Sequence, residues 1–382
     1  MWEETLSRPR DVVELIRGFE GGVISRREFV TRAAALGLGL GAIGGLLTAC
    51  RGSRKAAHGE SSELGPIEKE LSIYNWSDYI ARETVPNFEK EFGVKVTYEQ
   101  YESNEEMLAR LESGQAGYDI VVPSGYVVPI LLAKGLIAPI DQNFLTNWTN
   151  VAPIFLDPPF DPDNAHTVPW QWGTTGLAYR TDRLNPPPDS WAVFLDPKLK
   201  GRMTQMDDER EVIGAWLHYR GHSLNSTEPG ELAAAKADAI AARGNLKGYI
   251  SAPVKEQLIS GEVWLAQLWN GDTAQARAKE SKLDYRLPKE GCTIWTDNLA
   301  LTSSARHKRA AHEFMNYVLR PEVGAAISNF TGYGTPNQGA LEKMTNPVPF
   351  PTADEMKRLE YQKDLGAAAA LWDQVWSEIK NA

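Results

Sequence analysis

The spacing of apolar residues changes several times along the body of the chain, and each change marks a predicted element. Residues 71–76 form a short apolar run that predicts a strand, and residues 94–98 predict a second strand. Between them, apolar residues recur at helical spacing from Val85 to Phe92, and Gly93 is suited to end that helix. The segment therefore opens with a strand, a helix and a strand.

The same alternation continues toward the C-terminus. A helix is predicted around Met107 and Leu111, and residues 118–123 have the uninterrupted apolar character of a buried parallel strand. The alternation resumes after about residue 180, and helical patterns return at residues 318–329 and 359–379. Strands that alternate with helices predict an α/β protein with a parallel sheet and right-handed crossovers.

The first fifty residues have the pattern of an export signal. Arg26 and Arg27 precede an uncharged stretch, residues 33–49, that ends in Leu-Thr-Ala directly before Cys50. The arginine pair resembles a twin-arginine signal. The last residues resemble the lipobox of bacterial lipoproteins, which implies that Cys50 becomes lipidated. The alternative is a transmembrane helix, but seventeen uncharged residues with five glycines fall short of the roughly 20 apolar residues that a span needs.

Two further sequence features lie in and after the leader: a glycine-rich motif and a polar segment. Residues 39–44 match the dinucleotide-binding pattern G-x-G-x-x-G, which needs a preceding strand and a following helix. An arginine-rich leader precedes them and a predicted cleavage site follows, so we reject that function. Residues 51–67 are polar and rich in turn-forming residues, which predicts a flexible tether.

Composition and charge narrow the class of protein. Of the 382 residues, 42% are hydrophobic and 24% charged, as in soluble globular proteins, and the length favours two lobes. The net charge is −10, and six basic and six acidic residues cancel within residues 1–49, so the body keeps all of it. A negative body argues against nucleic acid as a partner and is compatible with a cationic ligand. If Cys50 is lipidated, Cys292 has no intramolecular disulfide partner.

Three predicted strand ends combine aromatic and polar residues. They are residues 75–79 (Asn-Trp-Ser-Asp-Tyr), 123–126 (Pro-Ser-Gly-Tyr) and 268–272 (Leu-Trp-Asn-Gly-Asp). Ligands of open α/β sheets bind at the carboxyl ends of the strands. Aromatic faces suit the methylene chain of a linear polyamine and attract cations. Carboxylates are needed for its ammonium groups, because a buried cation without a partner is costly.

Seven short motifs occur in a characteristic order along the body. They are residues 74–79, 121–124, 207–212, 288–291, 295–297, 319–321 and 332–337. From about residue 71 to 366 the chain thereby resembles the periplasmic polyamine-binding proteins of bacterial ABC transporters, the spermidine/putrescine type.

The resemblance implies a fold and a set of domains. The fold is a two-lobed type II periplasmic-binding-protein fold, with a hinge and an interlobe ligand cleft. Residues 1–50 would be the signal and 51–67 the tether. Lobe 1 would comprise residues 68–177 and 297–345, and lobe 2 residues 178–296 and 346–382. The chain would cross between lobes near residues 177–180 and 295–298 and return near 345.

The resemblance also implies the site. The ligand-binding residues would be Trp76, Ser77, Asp78, Tyr79, Ser124, Tyr126, Asp208, Glu211, Trp269, Trp295, Asp297, Tyr333 and Gln362. The aromatic residues would form the walls, and the carboxylates would hold the ammonium groups. Asp78 is the residue that putrescine-type members often have, whereas spermidine-type members often have Glu there. The pair of Asp208 and Glu211 together with Trp295 and Asp297 is more like the spermidine type. The length of the ligand therefore stays open.

The same resemblance implies a non-enzymatic, exported, lipid-anchored component of an ABC importer that works with membrane permease subunits, in the periplasm or on the outer face of the cell membrane. No cofactor or metal is expected, although His218 and His222 have an i,i+4 spacing. One alternative is the same fold with another solute, such as an amino acid or ferric ion. A second is a hydrolase that uses Asp208 with Glu211, or Asp297, as acid and base.

Overall fold

The computed structural model describes residues 64–114, 117–251, 253–345, 348 and 351–382. Its strands are β1 (Glu70–Trp76), β2 (Lys95–Tyr101), β3 (Ile120–Val121), β4 (Ile137–Ala138), β5 (Thr167–Arg180), β6 (Met203–Gln205), β7 (Leu246–Tyr249), β8 (Leu265–Trp269), β9 (Leu283–Arg286), β10 (Cys292–Thr302) and β11 (Leu359–Tyr361). Its helices are α1 (Thr84–Phe92), α2 (Asn104–Glu112), α3 (Val128–Ala133), α4 (Glu209–Tyr219), α5 (Pro229–Arg243), α6 (Val254–Ser260), α7 (Asn270–Lys279), α8 (Lys308–Val318), α9 (Pro321–Thr331), α10 (Gln338–Leu341), α11 (Ala353–Met356) and α12 (Ala369–Asn381). The leader and Cys50 lie outside the described residues.

The strands form one mixed sheet. Its main order is β2-β1-β3-β10-β5-β8-β6-β7, with β4 and β11 on β10 and β9 on β5. The pairs of β1 with β2 and β3, and of β6 with β7 and β8, are parallel as predicted. The expectation of a purely parallel sheet is wrong, because β5 and β10 run antiparallel to each other and to their main neighbours. Both are long connecting strands rather than parts of a strand–helix–strand unit.

Strands β5 and β10 connect two hydrophobic cores. The first part of β5, residues 167–174, pairs with β10, and the second part, residues 175–180, pairs with β8 and β9. Accordingly Val168 belongs to the core around Ile73 and Phe314, whereas Leu177 belongs to the core around Trp191 and Trp216. In β10, Leu299 lies in the first core and Ile294 in the second.

The local predictions near the N-terminal end of the sheet are confirmed. Helix α1 ends at Phe92, and Gly93 follows in the left-handed conformation, with φ of 65°. Its backbone N–H donates to the carbonyl of Glu89, which satisfies one of the open carbonyls of the last turn. None of the described helices is long and apolar enough to span a bilayer.

Two predictions of continuous helices are wrong. The segment 318–329 is interrupted after Val318, and a new helix starts at Pro321. Proline disfavours a helical conformation in the preceding residue, and Arg320 is accordingly extended, with ψ of 136°. The segment 359–379 begins as a strand, since Leu359–Tyr361 pairs in parallel with β10 before helix α12 starts at Ala369.

Candidate functional site

The carboxyl ends of several strands lie around one cleft. Trp76 and Trp269 are the last residues of β1 and β8, Ser124 follows β3, and all three line the cleft, as the rule for open α/β sheets predicts. The complete lining consists of Trp76, Ser77, Tyr79, Glu102, Asn104, Ser124, Tyr126, Asp208, Glu211, Lys255, Trp269, Asp272, Trp295, Asp297, Tyr333 and Gln362. Aromatic and acidic side chains therefore share one surface. They come from elements that pack in the first core and from elements that pack in the second.

Asp297 lies at an irregular point of β10. The pairing register of β10 with β5 shifts between Asp297 and Asn298, which marks a bulge. The loop after β3 packs against β10 at this bulge. The N–H of Asn298 donates to the carbonyl of Pro123, and Ser124 and Asp297 form an isolated antiparallel β-bridge. A bulge next to a docked loop is a way to aim a side chain into a cleft.

The carboxylate of Asp297 accepts hydrogen bonds but forms no salt bridge with any residue that the structure describes. Tyr79 donates its hydroxyl to Oδ2 at 2.8 Å, and Ser124 donates to Oδ1 at 2.6 Å. The residue is 5% exposed, and burial raises its pKa to about 7, although the two hydrogen bonds oppose this shift. Because burial makes this carboxylate costly to ionise, a cation beside it would stabilise its charged form.

The aromatic wall packs against glycine backbone. The ring of Tyr333 makes edge contacts with Tyr79 and Trp295, at centroid distances of 5.1 and 5.3 Å. A Cβ on Gly271 would lie 2.4 Å from the Tyr333 ring, and a Cβ on Gly173 would lie 2.5 Å from the Trp295 ring. Glycine is therefore required at both positions for the rings to reach the cleft.

Asp208 and Glu211 form a second acidic group at the start of α4. Asp208 is the N-cap residue, and its side chain accepts a hydrogen bond from the N–H of Glu211 at 3.0 Å. Thr293 donates to Glu211 at 2.8 Å, and Gln362 donates to the same carboxylate at 3.3 Å. Burial raises the pKa of both carboxyls, and the charge of Asp208 raises that of Glu211 further. This pair also favours a cation.

The cleft contains nearly the whole predicted set. Trp76, Ser77, Tyr79, Ser124, Tyr126, Asp208, Glu211, Trp269, Trp295, Asp297, Tyr333 and Gln362 all line it. Asp78 does not belong to the lining. Its backbone has a φ of 54°, its side chain is 67% exposed, and its carboxylate accepts a hydrogen bond from Lys255 at 3.2 Å.

Four lining residues were not predicted: Glu102, Asn104, Lys255 and Asp272. Strand β2 also ends at this edge, so the rule about strand ends could have found Glu102 and Asn104. Asp272 belongs to the strand-end motif 268–272, although the predicted ligand-binding set took only Trp269 from it. Lys255 follows no strand-end motif, and nothing in its sequence surroundings indicates the cleft.

The histidine pair has ordinary partners. His218 Nδ1 lies 3.1 Å from the carbonyl of Glu290, and His222 Nδ1 lies 3.2 Å from the carboxylate of Glu231. Over the described part of the chain, no group of three or more histidine, cysteine, aspartate or glutamate residues could hold a metal ion. The thiol of Cys292 is buried, and it forms no disulfide within the described residues.

The fold and the cleft are those of a solute-binding protein, and the comparison with known sequences agrees with this class. The profile of the bacterial extracellular solute-binding protein family matches residues 83–357. The chain belongs to this family.

Individual relatives narrow the comparison. The spermidine/putrescine-binding periplasmic protein of Escherichia coli K12 is 36% identical over 332 residues, which cover 85% of this chain and 94% of the relative. The putrescine-binding periplasmic protein of the same strain is 37% identical over 321 residues, which cover 78% and 87%. A solved spermidine/putrescine ABC transporter substrate-binding protein of Streptococcus pneumoniae is 30% identical with a TM-score of 0.72, covering 82% of this chain and 99% of that one. The expected two-lobed type II fold is thereby confirmed.

Proposed function

We propose that this protein captures a linear polyamine between its two lobes and delivers it to the permease of an ABC importer. One observation carries the proposal. Asp208, Glu211 and Asp297 face an aromatic cleft, and none of the three forms a salt bridge with another described residue. Each carboxylate is hydrogen-bonded, so its position is fixed before any ligand arrives.

The chemistry of a polyamine fits this arrangement. Its ammonium groups supply the cations that the buried carboxylates lack, and each contact is a charge-assisted hydrogen bond. Its methylene chain packs against flat aromatic faces such as those of Trp269 and Trp295, which also attract the cationic ends. The acidic body, with a net charge of −10, draws such a ligand toward the protein.

The relatives support the same ligand class, since those named above bind spermidine or putrescine. An amino acid would need a cation for its α-carboxylate. The only cationic side chain among the lining residues of the described cleft is Lys255, which already contacts two carboxylates. The acidic and aromatic lining therefore favours an amine over an amino acid.

Isothermal titration calorimetry of the full-length protein with putrescine, spermidine and a control amino acid tests the proposal. Micromolar or tighter binding of at least one polyamine, without binding of the amino acid, is expected. Mass spectrometry of the recovered ligand distinguishes binding from turnover, because a hydrolase would alter it. Failure of both polyamines to bind would refute the proposed ligand class.

We further propose lobe bounds that follow the two cores, with exceptions that include Leu177, which packs in the second core, and Val348, which packs against the first: residues 68–177 with 297–345, and residues 178–296 with 346–382. The distribution of β5 and β10 between the cores supports them. Ligand would close the lobes around these two strands. For the leader, we propose export by the twin-arginine route and a lipid anchor on Cys50, supported by the arginine pair and the lipobox-like sequence.

A further inference from the structure

A cation of the protein itself occupies one end of the cleft. The ammonium of Lys255 lies 3.2 Å from the Asp78 carboxylate, 3.6 Å from that of Asp272 and 3.2 Å from the side-chain oxygen of Gln275. The Lys255 side chain is only 13% exposed. The ammonium donates hydrogen bonds to Asp78 and Gln275 and forms an ion pair with Asp272.

The partners of Lys255 come from distant parts of the sheet. Asp78 follows β1, whereas Asp272 and Gln275 lie on α7, which follows β8. Asp272 is almost fully buried and also accepts a hydrogen bond from the hydroxyl of Tyr333 at 3.0 Å. The lysine therefore joins the two sides of the cleft with the kind of contact that the ammonium of a ligand would make.

Contacts between side chains establish an order along the cleft. Asp272 contacts Tyr333, Tyr333 contacts Tyr79, and Tyr79 donates to Asp297. From Asp297 the chain of contacts continues through Ser124 to Asn104, which donates to Tyr126. The charge of Asp208 acts on the Tyr126 hydroxyl in turn. The end at Asp272 thus has a cation within ion-pair distance, whereas Asp297, Asp208 and Glu211 form no salt bridge with a described residue. The charge of Arg210 nevertheless opposes the rise in the pKa of Asp208 and Glu211.

We propose, on the basis of the polyamine-binding function above, that Lys255 substitutes for one ammonium of a longer polyamine, so that the cleft prefers a diamine to a triamine. A third ammonium at Asp78 and Asp272 would meet the positive charge of Lys255. It would also have to displace hydrogen bonds that are already formed. The two ammonium groups of a diamine need only Asp297 and the pair of Asp208 and Glu211.

The neighbouring helix provides a matched control. Lys279 lies on α7 and pairs with Glu256 at 2.9 Å, but both side chains are largely exposed, at 64% and 70%. Lys279→Met therefore removes an ammonium close in sequence and space without changing the lining of the cleft. Lys255→Arg keeps the positive charge, whereas Lys255→Met keeps the length of the side chain and removes the charge.

The test compares the dissociation constants of putrescine and spermidine for the full-length protein and these variants. Wild type should bind putrescine at least tenfold more tightly than spermidine. Lys255→Met should shift the ratio of the two constants at least tenfold toward spermidine, whereas Lys255→Arg and Lys279→Met should keep the wild-type ratio. Circular dichroism reports whether each variant folds, and Lys255→Gln replaces Lys255→Met if the latter does not.

Two results would overturn the inference while leaving polyamine binding intact. One is a wild type that binds spermidine as tightly as putrescine or more tightly. The other is a folded Lys255→Met protein with the wild-type ratio. A wild type that binds neither polyamine would refute the proposed function itself, and the inference with it.

Discussion

Replacing Asp297 by Asn removes one negative charge from the middle of the cleft and little else. The amide has nearly the same shape, and it keeps one oxygen that can accept from Tyr79 or Ser124. The loop that docks on β10 through backbone hydrogen bonds is not touched. The change therefore tests the charge of Asp297 rather than the packing around it.

The magnitude of the effect depends on burial and on pH. Removing one partner of a buried charge pair costs about 2–5 kcal/mol, which corresponds to about 30- to 5,000-fold in affinity. Because burial raises the pKa of Asp297 to about 7, about nine tenths of this carboxyl is ionised at pH 8 and about one tenth at pH 6 in the ligand-free protein. The ratio of variant to wild-type dissociation constants should therefore fall about tenfold from pH 8 to pH 6.

Calorimetric titrations of putrescine and spermidine at pH 6, 7 and 8 measure this ratio. The other titrating carboxyls of the cleft, Asp208 and Glu211, are present in both proteins, so the ratio isolates Asp297. Asp284→Asn, which removes an exposed partner of Arg277 outside the cleft, is the control and should leave the affinity unchanged. Equal affinities of wild type and Asp297→Asn at pH 8 would refute the reasoning, as would a ratio that does not change with pH.

Three further predictions concern stability, packing and the leader. Because the pKa of Asp297 is raised in the folded protein, the folded protein still holds a proton between about pH 4 and 7 that the unfolded chain has released. This contribution to the stability of the ligand-free protein is therefore lost as the pH rises through about 7. Thermal unfolding should show a smaller loss of stability for Asp297→Asn, and identical pH profiles of the two proteins would contradict this. Gly271→Ala should weaken polyamine binding at least tenfold, because its Cβ would lie 2.4 Å from the Tyr333 ring. The control Gly230→Ala, whose Cβ would have no atom within 4 Å, should bind normally. Equal titrations of the two variants would show that the Tyr333 ring can move freely. Cys50→Ser should release the exported protein from the membrane fraction, and unchanged retention would exclude Cys50 as the anchor.

The sequence predicts the parts of this structure that depend on local pattern. Helix α1, its end at Gly93 and the parallel pairs of β1 follow from hydrophobic spacing and glycine conformation. The antiparallel strands β5 and β10 could not be predicted in this way, because a long buried strand has the same apolar pattern in either direction. The break at Pro321 was readable, and the prediction of one helix across it gave too little weight to the proline.

The candidate site was predicted from strand ends and from the family resemblance. Neither of these can find a residue that reaches the cleft from a distant part of the fold. The rule about strand ends finds residues such as Trp76, the last residue of β1, and Ser124, which follows β3 by three positions. It does not find Lys255, which reaches the cleft from α6 and is 177 positions away from its partner Asp78. Such a contact depends on how the two halves of the sheet approach each other, and no short motif encodes that approach.

The same contact bears on the length of the ligand, which the sequence left open. Asp78 favoured a putrescine-type site, whereas Asp208 and Glu211 favoured a spermidine-type site. In the folded protein these residues have different roles, because Asp78 is neutralised by Lys255 while the other two face the cleft without a salt bridge to any described residue. Under the proposal above, a carboxylate that forms a salt bridge with Lys255 does not count toward the ammonium groups that a ligand can place. The expected number of ammonium groups is then set by the cleft carboxylates that form no salt bridge with a described residue.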